Sequence, residues 1–226
     1  MRLSVLVPLF NEPATIKPIL TKLLKQSAVK EIIVVDDGST DDSAKLVKQL
    51  AKKHRQLQLL QKPNGGKGSA IRYGLAQATG DYVLIQDADL EYDPEDIPKL
   101  LEPVLKGRAE VVYGSRFLGA HSNLLFWHRF GNNFLNFLIN ILYNTTLSDM
   151  ETGYKLAPTE LLKSLNLTAQ RFDLEPEITC KILKRGLRIY EVPINYVGRD
   201  FAQGKKITWK DGFAAVHKII SLRFFP

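Results

Sequence analysis

Tyr82-Val83-Leu84-Ile85-Gln86-Asp87-Ala88-Asp89-Leu90-Glu91 sets an apolar run directly against a cluster of carboxylates. Tyr82 to Ile85 reads as a strand. Side chains alternate along a strand, so Asp87 and Asp89 are expected to leave on one side, with Glu91 a further step along. Carboxylates that meet at a strand end suit a hard divalent cation held by oxygen ligands. A cation only partly enclosed by protein commonly serves a substrate diphosphate. An isolated Asp-x-Asp has an ordinary explanation as a turn, so the flanking chain decides between the two.

Before this stretch, strands and helices alternate. Leu3 to Val7 is a short buried strand stopped by Pro8, and a helix follows within 11–26. Glu31 to Val35 is a second strand ending in Asp36-Asp37-Gly38-Ser39, with a helix from Asp41-Asp42 to about His54. Leu57 to Leu60 is a third strand, and Asn64-Gly65-Gly66-Lys67-Gly68 is a tight turn that opens a helix. That turn lacks the Walker A spacing and its Ser/Thr, so it is not expected to bind nucleotide phosphate by itself. After Glu91, Asp93-Pro94 caps a helix through Leu105, and Ala109 to Tyr113 is a fifth strand. Continuous apolar strands separated by helices signify a mostly parallel α/β sheet, Rossmann-like, with helices on both faces. Ligands of such sheets bind at the strands' carboxyl ends. Asp36-Asp37 and Asp87-Ala88-Asp89 can therefore share one cleft.

After about residue 115 the pattern loosens. An uncharged stretch, Phe130 to Ser148, carries Asn132, Asn136, Asn140 and Asn144 at every fourth position. These make a polar stripe on a helix whose other face (Phe134, Leu135, Phe137, Leu138, Ile141, Leu142) is apolar. That face is expected to pack on the domain or to lie in a membrane interface. The stripe argues against a membrane-spanning helix. A helix over Glu175 to Arg185, a strand over Leu187 to Tyr196 with an edge-type Val192-Pro193, a basic loop and a last helix (about Trp209 to Arg223) follow. The 226 residues are read as one domain: a nucleotide-binding half, 1–115, and an acceptor-binding half, 116–226.

The net charge of +7 favours an anionic partner such as a nucleotide, a phosphorylated substrate, phospholipid headgroups or nucleic acid. Cys180 is the sole cysteine, which excludes an internal disulfide and fits a reducing, cytoplasmic compartment. His54, His121, His128 and His217 lack zinc-ligand spacing. The chain opens at once on a strand pattern, so no signal peptide is expected.

Taken together, Val5-Leu6-Val7-Pro8-Leu9-Phe10-Asn11-Glu12, Val34-Val35-Asp36-Asp37-Gly38-Ser39, Asn64 to Gly68, Asp87 to Glu91, Gly114-Ser115-Arg116-Phe117 and Val197-Gly198-Arg199 resemble the family 2 glycosyltransferases of GT-A fold. Within that family the chain is most similar to the polyprenyl-phosphate (dolichyl-phosphate) mannose and glucose synthases. The resemblance implies a nucleotide-sugar site lined by Pro8, Phe10, Glu12, Val35, Asp37, Asp87, Ala88 and Asp89. It also implies Mg²⁺ or Mn²⁺ on Asp87, Asp89 and Glu91, where Glu91 stands in place of a usual glutamine. Phe10 replaces the familiar tyrosine. Arg116, Arg199 and Lys205 would serve phosphates, with Asp89, Arg116 and Arg199 as the catalytic group and Arg129 at an acceptor phosphate. The loop from Gly198 to Lys206 would close over the donor.

The implied reaction moves a hexose from GDP-mannose or UDP-glucose to a polyprenyl phosphate, with inversion, by a peripheral protein on the cytoplasmic face of a membrane. A lipid phosphate is already anionic near neutrality and needs no general base. A hydroxyl acceptor on a glycan or glycolipid needs one, and Asp149 and Glu151 are the candidates. A basic nucleic-acid-binding domain is the non-enzymatic alternative, and the acidic cleft argues against it.

Overall fold

The structure is a computed structural model that describes residues 1–122, 125–199 and 209–225. Strands β1 (Leu3–Leu9), β2 (Val29–Asp36), β3 (Leu57–Gln61) and β4 (Tyr82–Ile85) alternate with helices α1 (Ile16–Lys25), α2 (Ser43–Ala51) and α3 (Lys67–Gln77). A 3-10 turn, Pro94–Asp96, leads into α4 (Ile97–Leu105). Asp93 caps that turn by accepting from the Glu95 amide at 3.1 Å. Then come β5 (Val111–Ser115), β6 (His121–Ser122), α5 (Phe126–Tyr143), β7 (Lys155–Pro158), α6 (Thr159–Ser164) and α7 (Leu174–Lys184). The described chain ends with β8 (Ile189–Pro193), β9 (Tyr196–Val197) and α8 (Trp209–Phe224).

Among the described residues the main sheet has the order β3-β2-β1-β4-β7-β5-β8. β7 alone runs against its neighbours, antiparallel to both β4 and β5. The mostly parallel α/β sheet read from the sequence is therefore the fold. Pro193 does end an edge strand. The expected strand from Leu187 to Tyr196 is, however, two: the Asn195 amide turns aside to Asp96 Oδ2 at 2.6 Å, and β9 pairs with β6. β1 runs through Pro8 rather than stopping there, because β4 ends opposite Leu6 and leaves Pro8 beside a single strand.

Strand alternation distributes the core over two faces. Leu3, Val5, Val7, Ile32 and Val34 pack with α1, α2 and α4, whereas Leu6, Ile33 and Val35 pack with α3, α6 and α7. Each such side chain contributes about 1.5–3 kcal/mol on burial. A third cluster joins α5, α7 and α8 through Leu135, Ile139, Met150, Cys180, Ala215 and Ile219. Cys180 is buried there.

The apolar face of the Asn-striped helix is split: Leu135, Leu138 and Leu142 pack on the domain, whereas Phe134, Phe137 and Ile141 stay exposed. Asn136 donates to the Ser148 carbonyl at 2.6 Å and accepts from the Met150 amide at 2.8 Å. Asn140 makes the same two-way pairing with the Leu147 backbone. The polar stripe thus faces the protein and carries the 147–150 segment. No helix among the described residues is long and apolar enough to cross a membrane.

Candidate active site

β1, β2 and β4 are mutually parallel, so the segments that follow them emerge at one edge of the sheet. Phe10 and Glu12 follow β1, Asp37 follows β2, and the 87–91 segment follows β4. Together with residues from α3, α5, α7 and α8 they line a cavity of about 850 Å³. Pro8, Phe10, Glu12, Asp37, Asp87, Ala88, Asp89, Glu91, Arg116, Arg129 and Arg199 all reach it. Val35 does not: alternation sends its side chain to the other side, into the core under α3. Lys205 and most of the loop expected to close over the donor lie outside the described residues.

β4 stops at Ile85, so Asp87 and Asp89 are displayed from a bend rather than from strand alternation. Both face the cavity, but each takes its own cation. Lys67, the first residue of α3, sits 2.7 Å from Asp87 Oδ1 and 2.8 Å from Glu175 Oε1. Arg199 Nη2 donates to Asp89 Oδ2 at 2.6 Å, and Nη1 lies 3.2 Å from both Glu12 oxygens. Glu91 accepts from the Arg199 amide at 2.8 Å and from the Tyr196 hydroxyl at 3.0 Å. Arg199 therefore gathers Glu12, Asp89 and Glu91 around one guanidinium.

The electrostatics follow from this crowding. Burial, then Asp87 and Glu91, push the Asp89 carboxyl up to about 7 even with Arg199 beside it. Burial opposes the charge on Lys67, but Asp87 and Glu175 together outweigh it and hold the ammonium well above its usual range. Asp89 is thus a carboxylate poised for one more positive charge.

Asp37 is nearly fully buried, and its oxygens accept from the Gly65 and Gly66 amides, at 2.7 Å for Gly66, and from Lys62. It pins the glycine turn. That turn needs glycine because Gly66 has φ +90° and a Cβ there would lie 2.5 Å from the Gln170 carbonyl. The tight packing sets the start of α3, and hence Lys67, against Asp87.

Arg116, which also lines the cavity, makes a fork to Asp149. Nε donates to Oδ2 at 2.8 Å and Nη2 to Oδ1 at 2.7 Å, while the Arg116 amide also donates to Oδ2. Asp149 has no exposed surface and does not line the cavity. Its position in the chain made it a candidate base; in the fold it anchors Arg116. Arg116 and Arg129 both lie over the Phe117 ring, 5.6 and 4.5 Å from its centre. Glu151 does line the cavity, with one oxygen buried and lacking a hydrogen-bond partner. Burial, then Glu175, push its carboxyl up to about 8, and burial pushes the neighbouring Lys155 ammonium down to about 8.

Lys67 and Glu175 are the residues sequence reading missed. Lys67 was visible only as part of a turn, and Glu175 as one of two acids in Leu174-Glu175-Pro176-Glu177 at a helix start. The available signal was that both acids fall in the first turn of a helix whose Leu174, Ile178 and Ile182 are apolar, where a buried carboxylate demands a cation. Among the described residues no three acidic, histidine or cysteine side chains stand ready-made as an ion cage.

The family described as Glycosyl transferase family 2 matches residues 4–165. The chain belongs to this family. An uncharacterized protein of Methanocaldococcus jannaschii is 29% identical over 228 residues, covering 98% of this chain and 92% of its own. The glycosyltransferase AglJ of Haloferax volcanii is 30% identical over 200 residues, 86% of this chain and 63% of that protein. A UDP-N-acetylglucosamine–dolichyl-phosphate N-acetylglucosaminyltransferase of Methanococcus voltae is 27% identical, covering 96% of this chain and 94% of its own. Among solved structures, glucosyl-3-phosphoglycerate synthase of Mycobacterium tuberculosis, bound to Mn²⁺, UDP and glucosyl-3-phosphoglycerate, aligns with 99% of this chain and 80% of its own at TM-score 0.77 and 23% identity. That likeness identifies the fold as GT-A. This family 2 glycosyltransferase thus has its acidic cluster at the carboxyl edge of the GT-A sheet.

Proposed function

We propose that this glycosyltransferase moves a sugar from a nucleoside diphosphate donor to a polyprenyl phosphate, with inversion, in peripheral contact with a membrane. One observation carries the choice of acceptor. Of the two carboxylates that the sequence offered as a base, Asp149 is wholly committed to Arg116 and Glu151 is pushed toward its protonated form by burial. A hydroxyl acceptor needs a base in reach, whereas a phosphate monoester brings its own negative charge. The apolar lining from Leu125, Trp127 and Leu135 supports a lipid carrier rather than a small phosphorylated acid, as does the activity named for the Methanococcus voltae relative.

In this reading Phe10 and Asp37 face the nucleotide and Arg116 and Arg129 the acceptor phosphate. An acceptor oxygen supplies the electron pair for the new bond to the anomeric carbon. The bond from that carbon to the donor diphosphate breaks, and its electrons leave with the nucleoside diphosphate. Arg199, released from Asp89, follows that charge.

Asp87, Asp89 and Glu91 offer oxygen donors only, and the crowding that raises Asp89 is relieved by added positive charge, so the set fits Mg²⁺ or Mn²⁺. Such an ion, when bound, neutralises charge on the donor diphosphate. Arg199 supplies positive charge to Asp89 itself.

The test is transfer of radiolabel from GDP-mannose, UDP-glucose and UDP-N-acetylglucosamine to a short-chain polyprenyl phosphate, with Mn²⁺ or with EDTA. Label in the lipid product that needs metal, and that falls at least about a hundredfold in Asp89→Ala, is expected. Label appearing instead on a glycan or glycolipid hydroxyl, and depending on Glu151, would replace this reading with the hydroxyl-acceptor one.

A further inference from the structure

With Asn136 and Asn140 turned inward, α5 presents Phe126, Trp127, Phe130, Phe134, Phe137 and Ile141 outward, each between 51% and 76% exposed. At about 100° per residue these six fall within roughly 100° of arc, one continuous stripe along the helix. A stripe of large side chains left in water is the mark of an interaction surface. Phe126, Trp127 and Phe130 pack edge to face with one another, 5.1 and 6.1 Å between ring centres, so the N-terminal part is a preassembled aromatic cluster.

Two further observations say what covers it. The first is charge. From Phe117 to Ser148 there is no Asp or Glu. Arg129 stands in the first turn of α5. The apolar stripe thus carries no acid and has this arginine in its first turn, which suits anionic headgroups around a hydrocarbon layer. The second is continuity. Trp127, Arg129 and Leu135 of α5, with Ala215 of α8, also line the cavity, so the stripe runs into the mouth of the site.

We infer that the outer face of α5 is a membrane-docking surface: it lies in the interface of an anionic bilayer, its rings among the acyl chains, and opens the cavity directly onto the lipid from which the acceptor comes. This rests on the lipid-phosphate reading for its acceptor but not for its geometry. Amphipathic helices lie in the interface in this way, apolar face inserted and basic residues at the headgroups.

The experiment uses vesicles of phosphatidylcholine, with and without phosphatidylglycerol. The chain has two tryptophans, so Trp209→Phe leaves Trp127 as the only one. Its emission is expected to shift to the blue when anionic vesicles are added, and the protein to sediment with them. Phe134 and Phe137 do not line the cavity, so a Phe134→Asp/Phe137→Asp variant is expected to lose vesicle binding about tenfold or more. It should keep its melting temperature and its transfer to a short-chain acceptor free in solution. Vesicle binding without any lipid-phosphate transfer would leave the surface standing and overturn the acceptor reading. Transfer without vesicle binding, or binding unchanged in the double variant, overturns the surface and spares the function. A dimer in sedimentation equilibrium that the double variant dissociates, with no vesicle binding, gives the face to a second copy and likewise overturns the inference.

Discussion

Asp149 and Glu151 are two residues apart, and their surroundings give them opposite states. Asp149 accepts from both arms of the Arg116 fork and from the Arg116 amide, and has no exposed surface. Removing it strands a buried guanidinium, which costs more than the lost pair was worth. Asp149→Ala is therefore expected to lower stability by about 3–5 kcal/mol in urea unfolding, with Arg116→Ala giving a smaller loss because it leaves a carboxylate that can take up a proton. Glu151 is the reverse case. Its carboxyl is raised from 4.5 to about 8, so the folded protein keeps a proton that the unfolded chain releases. A raised acid gives its stability in full below the unfolded value and loses it as pH climbs through the folded one. Between about pH 5 and 8 the wild type should lose stability through this group. Glu151→Gln, neutral throughout, should flatten that slope and exceed the wild type by about 1–2 kcal/mol at pH 8. An unchanged slope in denaturation curves across that range would mean that Glu151 is ionised in the fold. The neighbouring Lys155, lowered to about 8, acts with the opposite sign above that pH and so bounds the window.

α5 shows at the scale of the element what a sequence does and does not disclose. Its existence and the periodic asparagines were plain, because hydrogen-bonding side chains four apart make one face of any helix. Which face would be wet was not plain. The usual rule places amides in solvent, but here the 147–150 segment has backbone groups to satisfy, and Asn136 and Asn140 satisfy them. The parallel strands were legible for the converse reason: buried on both faces, Ile32 to Val35 and Val83 to Ile85 leave uninterrupted apolar runs. β7 was hidden because Lys155, buried with its ammonium on the Met150 carbonyl and over the Tyr113 ring, breaks the apolar signal, and Pro158 ends it. In the site, the 87–91 carboxylates were evident, whereas their cations were not. Lys67 and Arg199 reach them from distant parts of the chain, and no local spacing encodes that. If the asparagines carry the 147–150 segment, Asn136→Leu orphans the Ser148 carbonyl and the Met150 amide. The expected cost is about 1–3 kcal/mol per group. Arg116 should loosen with Asp149, seen as a raised KM for the acceptor with the donor KM little changed. A variant as stable as wild type would mean the stripe is not a structural support.

The whole molecule is stitched across residue 115, where the sequence pattern changes: residues 1–115 and 116–226 share one sheet. β7 comes from the second half yet lies between β4 and β5 of the first, so neither half closes its sheet alone. The cleft is stitched the same way: Lys67 joins Asp87 to Glu175, Arg199 joins Glu12 to Asp89, and the Tyr154 hydroxyl donates to Gln86 Oε1 at 2.5 Å. A sheet shared strand by strand should unfold as one cooperative unit, without a populated state in which one half survives. The sequence supplies the probe, since both tryptophans, Trp127 and Trp209, belong to the second half whereas the helices of both halves contribute to far-ultraviolet dichroism. Urea transitions followed by tryptophan fluorescence and by dichroism are expected to coincide, with one midpoint and one slope. Fluorescence falling ahead of the helical signal would show residues 116–226 melting while residues 1–115 stand. It would also mean that β7 contributes little to holding β4 against β5. The strongest form of the test adds Glu175→Gln, which removes one charge from the Lys67 pairing. If that contact couples the halves only in parallel with the shared sheet, stability falls while the two transitions stay superimposed. If the coupling resides in the cleft, the transitions separate.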